Sequence, residues 1–108
     1  MAAPRILLNV PKTAKIGEVV EIKTLIAHPM ESGFRTGTNG RLIPQDIITD
    51  MVCRFEGEEI FRARFSPAIA ANPFLSFFAA IPRSGRLTFE WRGDNGFFAE
   101  DSAEILVT

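Results

Sequence analysis

The stretch Arg86-Leu87-Thr88-Phe89-Glu90-Trp91-Arg92 alternates apolar and polar side chains without a break, and Asp94-Asn95-Gly96 follows one residue later. Side chains of an extended strand point to opposite faces in turn, so Leu87, Phe89 and Trp91 share one face and Arg86, Thr88, Glu90 and Arg92 the other. Asp-Asn-Gly is a strong turn signal, because Asn and Gly tolerate the positive φ that tight turns require. The spacing predicts a hairpin of Arg86 to Arg92 with a last strand, Phe97 to Val107, buried on one face and solvated on the other.

The same period recurs toward the N-terminus. From Thr49 to Phe55, Met51, Cys53 and Phe55 share a face, and Glu56-Gly57-Glu58 turns the chain into a strand with Phe61, Ala63 and Phe65 inward. Glu18 to His28 places Val20, Ile22 and Ile26 together, with Glu21 and Lys23 opposite. Arg5 to Val10 aligns Ile6, Leu8 and Val10 until Pro11 removes a ladder donor. A Lys15-Ile16-Gly17 turn separates these two strands. No long stretch carries a helical period. About seven such strands predict an all-β, immunoglobulin-like antiparallel β-sandwich, with the 108 residues forming one domain, 1–108. The Cys and Trp spacing of antibody domains is absent.

Two segments depart from this rhythm. Met30 to Gln45 holds Gly33, Gly37, Asn39, Gly40 and Pro44, which predicts a long loop with a hairpin at Asn39-Gly40. In Ser66 to Ile81, Ala68-Ile69-Ala70-Ala71 permits a helical turn, Asn72-Pro73 ends it, and Phe74-Leu75-Ser76-Phe77-Phe78 is apolar on both faces. A small sandwich has one interior, so a strand apolar on both faces carries more apolar surface than the core can use. Two readings stay open: the long loop shields its second face, or that face meets another protein. Phe97-Phe98 raises the same question on a smaller scale.

Composition narrows the function. With 12 Lys+Arg against 13 Asp+Glu and a net charge of -1, nothing draws the chain to nucleic acid or to an anionic membrane. No run approaches a membrane helix, and the N-terminal Met1-Ala2-Ala3-Pro4-Arg5-Ile6-Leu7-Leu8 is too short in its apolar part for a signal peptide, so no export signal of its own is expected. One Cys excludes an intrachain disulfide and multi-cysteine metal sites. Ten Phe, one Trp and no Tyr favour dry contacts.

His28, the single histidine, ends an inward-facing strand before Pro29, where a hydrogen-bonded structural role outweighs a place in a catalytic triad. Cys53 shares its face with Met51 and Phe55 and reads as a small buried hydrophobe, with a redox thiol or an interchain disulfide as the alternatives. The carboxylates lack calcium-loop spacing, and Gly33, Gly37 and Gly40 lack phosphate-loop spacing. The expectation is therefore no catalytic residue, no cofactor and no metal site.

Three stretches together resemble one family: Ile22-Lys23-Thr24-Leu25-Ile26-Ala27-His28-Pro29-Met30-Glu31-Ser32-Gly33; Asn39-Gly40 with Ile43-Pro44-Gln45-Asp46-Ile47-Ile48; and Pro67-Ala68-Ile69-Ala70-Ala71-Asn72-Pro73-Phe74-Leu75. They are similar to SoxZ, the small subunit of the SoxYZ sulfur carrier of bacterial thiosulfate oxidation, and the similarity runs nearly end to end. The resemblance implies a non-catalytic subunit that stabilises and presents a SoxY-like partner, whose cysteine, on a mobile glycine-rich arm, carries the sulfur intermediate while other Sox enzymes act on it. It implies a heterodimer, or two of them paired into a heterotetramer, in the periplasm, co-exported with a partner that bears a twin-arginine signal. No Gly-Gly-Cys-Gly element occurs here, so Cys53 is not assigned the carrier role.

For the partner surface the residues offer their own inference. Phe74, Leu75, Phe77 and Phe78 are the first candidates to supply a continuous apolar patch. The corner at His28 and Met30 is a second, facing the partner's arm or a Sox enzyme. Competing readings are a thiol-redox protein using Cys53 and a freestanding immunoglobulin-like binding module.

Overall fold

A computed structural model of the chain describes residues 3–108; Met1 and Ala2, which open the N-terminal run discussed above, lie outside the described residues. The described residues form eight strands: β1 (Ile6–Asn9), β2 (Thr13–Ala14), β3 (Val19–Ile26), β4 (Ile48–Phe55), β5 (Glu58–Arg64), β6 (Phe74–Ala80), β7 (Gly85–Gly93) and β8 (Phe98–Val107). They build a 3-stranded sheet in the order β1-β3-β6 and a 5-stranded sheet in the order β2-β8-β7-β4-β5. The two sheets close on one apolar layer, as the alternation predicts.

That layer takes Leu87, Phe89 and Trp91 from β7, Met51, Cys53 and Phe55 from β4, Val20, Ile22 and Ile26 from β3, Phe77 from β6 and Ile105 from β8. Trp91 is 1% and Phe89 0% exposed, and burying side chains of this size contributes about 1.5–3 kcal/mol each. Phe61 of β5 stacks on Phe77 of β6 at 4.0 Å between ring centroids, joining the two sheets along one side. Thr24 is the polar intruder on the inner face of β3; its hydroxyl donates to the Leu75 carbonyl at 3.2 Å, which removes the cost of burying it.

The hairpins form where the turn residues place them. Glu56 (φ 48) and Gly57 (φ 85) make the two-residue turn between β4 and β5, with both central residues in the left-handed region. At Asn39-Gly40, Gly37 donates to the Arg41 carbonyl at 2.8 Å and Thr36 bridges Leu42, a miniature hairpin at the tip of the long loop. Ala68–Ala71 does not become helix; a single Ile69 N–H to Ser66 carbonyl bond closes one turn before Asn72-Pro73.

Two strand ends and the strand count stand out from expectation. β3 stops at Ile26: Ala27 N–H still bonds the Arg5 carbonyl in register with β1, but His28 N–H leaves the ladder for the Asn72 side chain. β8 starts at Phe98 because Phe97 N–H closes the preceding turn on the Asp94 carbonyl. The count rises to eight because Thr13–Ala14 runs parallel to Leu106–Val107. Close packing also shapes the entry to β4: a Cβ on Gly93 would lie 2.4 Å from the Ile47 carbonyl oxygen and 2.9 Å from Ile48 Cα, so glycine lets these backbones approach at the register shift between Ile48 and Asp50.

Candidate functional site

β6 is the segment that the sequence leaves ambiguous, and its register with β3 resolves it. Ile22 pairs with Phe77 and Thr24 with Leu75, which turns Leu75, Phe77 and Ala79 toward the interior and Phe74, Ser76, Phe78 and Ala80 away from it. Phe77 is 6% exposed whereas Phe74 is 62% and Phe78 68% exposed. The long loop therefore does not shield the second face. Of the four candidates on this strand, Leu75 and Phe77 are spent in the core; Phe74 and Phe78 are available to a partner.

Their neighbours extend the patch. In register across the sheet, Leu7 of β1, Leu25 of β3 and Phe74 form one apolar row, and Val19 lies beside Ala80 at the other end. Leu7 and Val19 are more than half exposed. The polar strip between the two ends is Asn9, Lys23 and Ser76 with Glu21, and the Lys23 ammonium lies 3.8 Å from the Glu21 carboxylate. Sequence reasoning missed Leu7, Leu25 and Val19. Their signal was an apolar residue at the outward positions Leu7 of β1 and Val19 and Leu25 of β3, visible only once those strands are seen to share a sheet with β6.

The outer face of the larger sheet has the opposite character. Arg62 reaches Asp50 at 3.1 Å, Arg54 reaches Glu90 at 2.8 Å, Arg92 lies 3.6 Å from Glu90 and Arg86 reaches Glu104 at 3.0 Å. Three of these pairs cross from strand to strand and the Arg92–Glu90 pair runs along β7, and their stems cover Val52, 4% exposed between Arg62 and Glu90 in register. The same face also exposes Phe98, 44% exposed with the Arg92 guanidinium 4.7 Å over its ring, and Leu106 along β8.

The second candidate corner is built differently. His28 is 5% and Met30 6% exposed. The His28 Nδ1 accepts the Met30 N–H at 2.9 Å, its backbone carbonyl accepts the Asn72 N–H at 2.8 Å, and its ring meets Phe97 edge-on at 4.8 Å. The Met30 sulfur lies 3.2 Å from the Ile48 N–H, with Met30 at φ 51. Beside them Asp94 accepts from Gln45 and from the Ile47 N–H, each at 3.1 Å, and these bonds hold its carboxyl below the usual carboxylate range. The arrangement ties the ends of three segments together. It leaves neither His28 nor Met30 on the surface, so neither can form a direct contact with a partner while the corner is intact.

Cys53 is fully buried, and burial pushes its thiol up to about 12. Among the described residues no group of three or more His, Cys, Asp and Glu side chains is placed to hold a metal ion, and no helix is long and apolar enough to cross a membrane.

Comparison with known proteins bears on this geometry. The superoxide reductase (neelaredoxin) of Ignicoccus hospitalis superposes with a TM-score of 0.70 at 18% identity, covering 99% of this chain and 81% of that one. The sulfur carrier protein SoxY of Chlorobium limicola f thiosulfatophilum superposes with a TM-score of 0.67 at 15% identity, covering 95% of this chain and 78% of that one. At such identities the likeness is one of fold. A search of curated proteins finds no match to the sequence. The family model for the sulphur oxidation protein SoxZ matches residues 8–104, from β1 through most of β8. On that span, nearly the whole chain, the chain belongs to the SoxZ family.

Proposed function

We propose that this chain is a non-catalytic subunit of a heterodimeric sulfur carrier, stabilising and presenting a SoxY-like partner through the outer face of its three-stranded sheet. Membership of the SoxZ family implies a role in Sox sulfur oxidation and a SoxY partner. The observation that carries the docking surface is the contrast between the two outer faces: one is laced with ion pairs from strand to strand and exposes Phe98 and Leu106 along β8, the other exposes Leu7, Val19, Phe74 and Phe78 around the Lys23–Glu21 pair. An interface of standard size buries roughly 800 Å² per partner, and bulky apolar residues on a flat sheet are the groups that supply its anchors. The periplasm is the place of action that fits this role, reached together with the partner.

The test is co-expression with the SoxY-like protein of the same organism, followed by native mass spectrometry. A one-to-one complex is expected. Phe78→Asp or Phe74→Asp should abolish it while leaving the melting temperature of the chain within a few degrees. Phe77→Asp, by contrast, buries a charge in the core and should cost more than about 3 kcal/mol of stability. A heterodimer that survives both outward charges would remove this face from the interface. The thiol-redox alternative finds no support in the environment of Cys53, and an independent binding module finds none in the family match.

A further inference from the structure

A strand at the edge of a sheet presents unpaired N–H and C=O groups, and proteins blunt such edges with charges, prolines or short length. The free edges of this sandwich differ in how well they are blunted. β5 carries Glu58, Glu59, Arg62 and Arg64. β1 has four residues between Pro4 and Pro11. β2 covers β8 only at Leu106 and Val107, and the open remainder of β8 bears Glu100, Asp101 and Glu104. β6 stands apart: Phe74-Leu75-Ser76-Phe77-Phe78-Ala79-Ala80, seven residues with no charge and no proline.

The backbone of β6 is also correctly phased to accept a neighbour. The Ile26 N–H donates to the Pro73 carbonyl, and Thr24 and Ile22 oppose Leu75 and Phe77. In an antiparallel ladder the bonded residues alternate, so Pro73, Leu75, Phe77 and Ala79 face β3 with their backbone groups. Phe74, Ser76, Phe78 and Ala80 then turn theirs to the open side. The residues with free backbone groups are thus the same ones whose side chains stand on the apolar outer face.

We infer that β6 pairs by strand addition with the edge strand of a SoxY-fold partner, joining the three-stranded sheet of this chain to the partner's sheet as one continuous sheet. This rests on the proposed heterodimer and adds to its outer-face contact a main-chain contact along β6, beside which Phe74 and Phe78 stand. The occupant is argued from the fold: the SoxY sandwich superposes on 95% of this chain, so it offers an edge strand in the equivalent place, and two equivalent edges meet antiparallel about a pseudo-twofold axis. Main-chain bonds then supply register, and side chains flanking Phe74 and Phe78 supply the apolar contact.

Ser76→Pro tests the edge without touching the apolar face. It deletes an N–H that points away from β3 and leaves the β3–β6 ladder whole, a placement proline tolerates on an edge strand. The variant chain should melt close to the parent and bind the SoxY-like protein at least about tenfold more weakly, through loss of a ladder bond and obstruction by the ring. Amide exchange provides a readout that needs no variant: Ser76 and Phe78 should exchange freely in the isolated chain and on the order of 100-fold more slowly in the complex. If the complex forms with unchanged affinity for Ser76→Pro, and these two amides exchange alike with and without the partner, the edge proposal fails while the heterodimer stands. If no complex forms with the unmodified chain, the heterodimer reading itself fails. Protection of Ser76 and Phe78 in the chain alone, unaltered by the partner, would assign the edge to a second copy and overturn the commitment to the carrier.

Discussion

The thiolate is the reactive form of cysteine, and Cys53 sits where a thiolate is costly, with no exposed surface and a thiol raised to about 12. At neutral pH the ionised fraction is on the order of 10⁻⁴ or less. Native chain should therefore react with an alkylating reagent at least ~100-fold more slowly than chain unfolded in urea, as read by mass spectrometry over time. Rapid native labelling would restore the redox reading. This burial was legible, because Cys53 shares the alternation of Met51 and Phe55 on a strand whose inner face is plain. The surroundings of His28 were only half legible. Its position at an inward strand end implied a structural histidine, but the group that clasps its backbone is Asn72, 44 residues away, and no local pattern announces a contact over that distance.

Among the elements, β7 was read correctly because strict alternation has one solution, and β4 and β5 because Met51, Cys53 and Phe55 and Phe61, Ala63 and Phe65 each keep to one face. The bulge between Cys53 and Arg54, which puts Phe61 and not Ile60 opposite Cys53, has no signal in the Glu56-Gly57 turn. β6 could not be phased from its own residues: with Phe and Leu at successive positions, either face could be the inner one, and the choice is made by Ile22 opposite Phe77 and Thr24 opposite Leu75. β2 escaped notice because two residues carry no period; a parallel pairing across nearly the whole chain length makes them a strand. The approach at Gly93 also belongs to this scale. Gly93→Ala forces a Cβ to 2.4 Å from the Ile47 carbonyl oxygen, and only backbone movement at the mouth of β4 relieves it. A loss of about 1–3 kcal/mol is expected, seen as a fall of several degrees in thermal unfolding; an unchanged melting curve would mean that the register shift beside Ile48 relaxes at little cost.

For the whole molecule the two outer faces divide the work, one sealed by ion pairs and one left apolar. Charge therefore has little part in the proposed association, since within β1, β3 and β6 the apolar face holds just Lys23 and Glu21, themselves 3.8 Å apart. Raising the salt from about 0.05 to about 0.5 M shortens the screening length several-fold, yet the dissociation constant of the complex should change less than about threefold, as measured by calorimetry. A large weakening would move the interface to the arginine-rich face. The fold class and the identity of the ambiguous strand could be read from the sequence. The contrast between faces could not, because it depends on β1 and β3 presenting Leu7, Leu25 and Val19 in rows beside Phe74 and Ala80.

The uncharged margin of β6 has a consequence for supply. An edge that accepts any extended chain is safe only while its intended neighbour is on hand, so copies made in excess of the partner are the ones that clump or are degraded. On the proposed pairing, matched synthesis of the two subunits is a requirement set by seven residues of strand, and the amount of usable complex would follow whichever of the pair is scarcer.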